Sequence, residues 1–445
     1  MSGPLPRSAL GGIAVVLAFA TSACETPMAT PDTPLVDAPA IDVGEGDAPT
    51  PTEDAPLDAS RDAPVDAAVF DGGPDGGGDG DLDGFDAATE IACGTDPSDR
   101  DSVPDPALLV GAGTALDPYL LCFGAHLALF AALGDVSSAH ARLGRDLDMT
   151  AVTVPSIGTS LAPYIGTLDG GGHAIENLAG DVPLFFMVGE GGEVRALHVM
   201  VTGGAVPGSP LVTNNYGRIA RVDIEAIMVG NDHRGILADY NNTTGIIEDC
   251  ASSGSVTGVA HMGGLVGQNQ GIIRRSSSIA DVTARNRAGG LVGTLSGGSV
   301  EACWAGGAVT ALEAGMDQGG LVGTAFAGRV SDSYAVGDVS ATTTSGAGGL
   351  IGGAGATFVL ERSYGLGSVS GSVRGAVIGH TMGVPLATAP VACFFDASPG
   401  LPDPLCVGLT TAQLGMASSF PMFDFTTPVW VMDPAVRRTP SLSWE

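Results

Sequence analysis

Lysine is missing altogether from this 445-residue chain: all 18 basic residues are arginine, against 49 acids, and the formal net charge is −31. With no basic stretch there is no surface able to neutralise a phosphate backbone, which argues against nucleic acid as a partner. Aromatic residues are scarce, at 5%. Long apolar runs are lacking too, because Leu10 to Ala20 is too short to span a bilayer stably and no other segment is apolar enough. The pattern His-Glu-x-x-His, which sets two zinc-binding imidazoles on one helix face, does not occur. Peptidases of that type are therefore not expected.

Glycine, in contrast, is plentiful at 68 residues, and much of it recurs in one phrase. Gly263-Gly264-Leu265-Val266-Gly267 returns at Gly289-Gly290-Leu291-Val292-Gly293, at Gly319-Gly320-Leu321-Val322-Gly323 and at Gly348-Gly349-Leu350-Ile351-Gly352. The leucines are 26, 30 and 29 residues apart, a period that marks a solenoid. A second column follows: Ile247 to Cys250, Ile273 to Ser276, Val300 to Cys303, Val330 to Ser333 and Leu360 to Ser363. A third comprises Val256, Val282, Val309, Val339 and Val369, each before Thr or Ser. Looser copies place Leu184, Leu211 and Ile236 before Leu265, and Val377 after Leu350. Three short β-rich pieces per repeat describe one turn of a parallel β-helix, with glycine expected at its corners. Stacking then predicts charge ladders, with Glu248, Arg274 and Glu301 one above the next and Asp249 beside Arg275.

The N-terminus has the form of a secretion signal, Arg7 flanking the apolar run. It ends Thr21-Ser22-Ala23-Cys24 and resembles a bacterial lipobox, which implies a signal peptide over 1–23, lipidation of Cys24 and a membrane anchor rather than a span. Residues 24–92 read as a disordered Asp/Ala/Pro/Gly linker, with Asp-Ala-Pro at 37–39, 47–49, 54–56 and 62–64. Between 25 and 110 there are 22 acids against Arg61 and Arg100, a net of −20, so most of the charge lies in this tether. Within it Asp79, Asp81, Asp83, Gly84 and Glu90 match the spacing of a twelve-residue Ca²⁺ loop. Asp86 sits where such a loop has an apolar residue, and nothing alongside has a helical pattern. Chance spacing in an Asp/Gly tract is the preferred reading, so no metal or cofactor is expected.

Order is expected from Cys93, with a strand at Pro118–Cys122, a helix at Ala125–Leu133, a strand at Ala141–Met149 and a glycine turn at 170–172. The succession Pro118-Tyr119-Leu120-Leu121, Leu143-Gly144-Arg145-Asp146-Leu147, Leu168-Asp169-Gly170-Gly171-Gly172-His173 and the glycine-leucine repeats resembles bacterial surface and secreted proteins with GLUG-motif repeats. That resemblance covers about 115 to 445. It implies an all-β, right-handed parallel β-helix, its N-terminal cap at 93–180, about eight coils over 181–392, and a C-terminal cap over 393–445. The signature positions would be Gly264, Leu265, Gly267, Gly290, Leu291, Gly293, Gly320, Leu321, Gly323, Gly349, Leu350 and Gly352. The aromatic tail, including Phe423, Phe425, Trp430 and Trp444, is expected to cover the open end of the solenoid.

Six cysteines remain beside Cys24. Cys93 with Cys122 and Cys393 with Cys406 are the expected disulfides, each local to a cap. Cys250 and Cys303 stand two rungs apart, ~9.6 Å, beyond disulfide reach. The histidines are scattered, and acids on the coils are offset by arginines. No catalysis is expected, and no catalytic residue is assigned. The leading function is a lipid-anchored protein of the outer membrane, displayed at the cell surface, that adheres to or binds polysaccharide or another surface protein. The alternatives are a polysaccharide lyase or hydrolase on the same scaffold and a passive envelope protein.

Overall fold

The computed structural model describes residues 79–445 except 181, 314, 343–345, 428 and 433–438. The expected signal peptide, Cys24 and the linker as far as residue 78 lie outside the described residues. From residue 79 onward the chain is an all-β parallel β-helix of about nine turns. Its ladder joins 32 strands in one continuous sheet.

The coils form because each repeat supplies the same inward side chains at the same heights. One rung column runs Leu168, Val194, Ile219, Ile247, Ile273, Val300, Val330 and Leu360. A second runs Val212, Ala238, Val266, Val292, Val322, Ile351 and Ile378. The third holds Met228, Val256, Val282, Val309, Val339 and Val369. Nearly all are shut off from solvent, and each large aliphatic contributes roughly 1.5–3 kcal/mol on burial. In the leucine column Leu237, not Ile236, aligns with Leu265: the Leu237 N–H donates to the Leu265 carbonyl. The two neighbours are both buried at a corner, so hydropathy alone could not separate them.

A polar ladder runs inside the coils as well. The Asn215 side-chain amide donates to the Asn241 oxygen (2.8 Å), and Asn241 to the Asn269 oxygen (2.7 Å). These amides are buried but satisfied by one another, as burial requires. Further along, the same column becomes Leu295, Ala325 and Ala354.

Glycine turns one corner as expected, with positive φ at Gly298 and Gly328, but not every corner. Two corner columns use non-glycine residues with positive φ: His233, His261, Arg287 and Asp317 in one, Asp249, Arg275, Ala302, Asp332 and Arg362 in the other. The repeat glycines serve close approach instead. A Cβ on Gly264 would sit 2.2 Å from the carbonyl oxygen of Gly290 in the next coil, and one on Gly263 would sit 2.0 Å from the carbonyl oxygen of Val266.

Three boundaries differ from expectation. The described residues begin at 79, and helix α1 (Ala87–Cys93) lies inside the supposed linker. Residue 180 is no break, because Tyr119–Leu121 already pairs in parallel with Ala141–Leu143 and the ladder continues from there. Helix α2 (Gly124–Ala131) covers this first end. At the other end Val391–Asp396 and Val407–Leu409 add rungs, and the Asp403 carboxylate accepts from the Val377 and Ile378 N–H groups (2.9 Å each). Disulfides join Cys93 to Cys122 and Cys393 to Cys406. Cys250 and Cys303 are free and buried, and burial pushes both thiols up to about 12.

Candidate functional site

The aromatic tail does not close the solenoid end; it lies along its side. One outward column runs Ala174, His198, Asp223, Ala251, Ser277, Trp304, Tyr334, Tyr364 and Phe394, one residue per coil. In its last coils the rungs are aromatic and stack, Trp304 on Tyr334 at 6.0 Å and Tyr334 on Tyr364 at 4.9 Å between ring centroids. Phe420, Phe423, Trp430 and Leu442 pack over them as a second core. The covering strand is tied down by polar bonds: Trp430 Nε1 donates to Asp332 (3.2 Å), Trp444 Nε1 to the Ala302 carbonyl (2.9 Å), and the Tyr334 hydroxyl to Glu445 (2.8 Å). The physical reason is the column itself. Three stacked aromatics offer a continuous apolar surface to cover.

Beyond Trp304 the same face is open. A groove of about 640 Å³ crosses it, lined by His198, Met200, Asp223, Glu225, Ser253, Ser277, Ile279 and Trp304. Strict alternation from Arg221 to Val229 builds its floor: Val222, Ile224, Ala226 and Met228 point inward, while Asp223, Glu225, Ile227 and Val229 point out. His198 Nδ1 lies 3.2 Å from the Asp223 carboxylate, both half-exposed. Carboxylates, hydroxyls and an imidazole beside an indole are the groups that hold a hydroxyl-rich or extended polar ligand. Asp223 and Glu225 also place two carboxylates on one strand face, the residue types of general acid–base chemistry.

The histidines are not all scattered. His233 and His261 stack at 3.9 Å, with Tyr240 on the His233 ring at 5.1 Å. Arg287 Nη1 donates to His261 Nε2 (2.8 Å), whose other nitrogen donates to the Thr294 hydroxyl (2.7 Å). Burial, followed by His233 and Arg287, pushes the His261 pKa down to about 4, so this ring is neutral. Two rungs on, His380 Nε2 meets the buried Asp317 carboxylate at 2.6 Å, and that hydrogen bond raises the His380 pKa. The signal was present in the sequence: His233, His261, Arg287 and Asp317 each stand two residues before a repeat glycine.

Of the expected ladders, Glu248 pairs across the rungs with Arg274 and Arg274 with Glu301, and Arg275 binds Asp249 at 2.6 Å. The repeat residues Gly264, Gly290, Gly320 and Gly349 stack between coils and do not line this groove. Asp79, Asp81 and Asp83 come together, with carboxylate oxygens within 4.8 Å of one another, and Glu90 is buried in the first turn of α1.

No protein-family model matches the chain, and no curated protein matches it. Solved structures do. A Bacteroides ovatus protein provisionally named an immunoglobulin A1 protease is 20% identical over 75% of this chain and 95% of its own, with a TM-score of 0.48. A structure named IgA1 protease is 18% identical over 60% of this chain, with a TM-score of 0.42, and this chain spans only 20% of its length. Both bear the name of a protease, so the expectation that this chain carries no catalysis does not stand. At identities of 18–20% and TM-scores below 0.5 these likenesses assign no activity here.

Proposed function

We propose that this chain is a lipid-anchored β-helix protein of the bacterial outer membrane, of the GLUG-repeat kind, that binds an extended ligand along the open half of its lateral face. The ligand class is a polysaccharide or a strand-like segment of another surface protein. One observation supports this above others: the column of outward rungs that takes the chain's own C-terminal segment over Tyr334 and Tyr364 continues past Trp304 as an open groove. A repetitive face of this kind gains by many weak contacts in register.

The test is to run the full chain with a panel of soluble polysaccharides on a sizing column, beside Trp304→Ala. Intact polysaccharide co-eluting with the chain, and losing most of that association in the variant, is the expected outcome. Co-elution that Trp304→Ala leaves untouched would remove the groove from the proposal. Shortened polysaccharide would move the reading to a lyase or hydrolase, with Asp223 and Glu225 the first carboxylates to change.

A further inference from the structure

Residues 79–90 carry the four carboxylates whose surroundings least resemble those elsewhere in the molecule. The backbone closes around Asp79, whose Oδ1 accepts from the N–H of Leu82 (2.6 Å) and Asp83 (3.2 Å) and whose Oδ2 accepts from Gly84 (3.0 Å). Gly84, with φ +102, takes the sharp bend that other residues resist. Asp81 and Asp83 each spend one oxygen on the backbone, and the second, Oδ2, is buried with no hydrogen-bond partner.

Glu90 is the independent observation. It is 0% exposed, and neither of its carboxylate oxygens has a hydrogen-bond partner. The nearby Thr95 hydroxyl donates to its main-chain carbonyl instead (3.3 Å). What the carboxylate faces is more negative charge: burial first, then Asp83, Asp81 and Asp79 raise its pKa. No arginine or histidine among the described residues forms an ion pair with any of the four acids. A buried, unpaired carboxylate beside like charges is costly unless a cation sits among them.

We infer that Asp79, Asp81, Asp83 and Glu90 form a binding site for one Ca²⁺ ion at the junction between the acidic N-terminal region and the β-helix. The four occupy positions 1, 3, 5 and 12 of a twelve-residue loop, glycine occupies position 6, and the Phe85 carbonyl is at position 7, a set of hard oxygen donors that suits Ca²⁺ over a transition metal. Asp86, the residue that departs from the pattern, has another task. It is the N-cap of α1, accepting from the Thr89 N–H at 2.7 Å, and points to solvent. The loop is already fixed to the first coil by Phe85 against Phe123 (6.2 Å) and by the Cys93–Cys122 disulfide. A bound ion would therefore hold residues 79–90 against the first coil.

The test is calorimetric titration of the chelator-stripped full chain with calcium chloride at 150 mM salt, beside Glu90→Gln and Asp81→Asn. One saturable site is expected, with a Kd of about 10⁻³ M or tighter, as in extracellular calcium modules. Either variant should weaken it by at least about tenfold, while diffuse binding to the other acids persists. A second readout is cleavage by a glutamate-specific protease after Glu90, which calcium should slow in the parent chain and not in Asp81→Asn. Absence of a saturable site, or a site that both variants retain at full strength, would overturn the assignment.

Discussion

Glu248 and Glu90 are both buried glutamates, at 2% and 0% exposure, and their surroundings are opposite. Glu248 sits on the coil ladder and accepts from Arg218 (2.6 Å), Arg274 (2.6 Å) and Arg275 (3.2 Å). Burial alone would raise its pKa, but the hydrogen bonds from Arg218 and Arg274 outweigh that and hold it below the ordinary value. Glu90 has three aspartates and no cation, and its pKa goes up. The coils therefore resolve their own charge by stacking opposite signs at successive rungs. The loop cannot do so within the described residues, and that imbalance is what points to a ligand there.

Breaking the satisfied member should cost most. Glu248→Gln removes the charge shared by three guanidinium groups, two of which keep Glu193 or Asp249 as a second partner. Loss of a buried carboxylate from such a cluster destabilises by about 2–3 kcal/mol once the partial exposure of the arginines is allowed for. Urea unfolding should show it as a lower midpoint. An unchanged midpoint would mean that the ladder merely sets register.

Acid should separate the two sites next. Because the folded pKa of Glu248 is depressed, its stability is complete above the ordinary value of 4.5 and is lost as pH falls through the folded value. Glu90 has the reverse sign. Its raised pKa means that the calcium-free chain gives up stability as pH rises from 4.5 through the folded value. Hydrogen exchange at α1 and at Ile246–Glu248, followed from pH 7 to 4 in chelator, should move in opposite directions. Glu90→Gln should remove the α1 response alone, leaving the chelated chain as stable as the parent or more so. A lowered melting point in chelator would contradict the charge-crowding account.

The contrast between repeat and loop also decides what could be read from the sequence. The β-helix was legible because Leu265, Leu291, Leu321 and Leu350 repeat a pattern that only stacked coils can bury together. Glu90 was legible only as a match in spacing: its enclosure was not, because that depends on α1, a seven-residue helix too short to show a periodicity. The place of the tail was hidden for a related reason. Its aromatic composition predicts a cover, but the place to cover is set by Tyr334 and Tyr364, which only the rung register brings into one column. Corner residues such as His261 leave no mark on composition, and only their place two residues before a repeat glycine marks them.

The smallest effect lies in the histidine corner, which tests the same principle with cations. His261, between His233 and Arg287, has a pKa of about 4. It should remain neutral at pH 7, and the stack should lose stability as pH falls from 6.5 through that value. His380 is raised by Asp317, so its contribution is complete below 6.5 and fades as pH rises through the folded value. Imidazole NMR signals should therefore titrate on opposite sides of 6.5. Asp317→Asn should bring the His380 midpoint down to the ordinary value or below it, while His261, which has no contact with that carboxylate, stays in place. If both midpoints moved together, the corner would be a single coupled network rather than two environments set by their immediate neighbours.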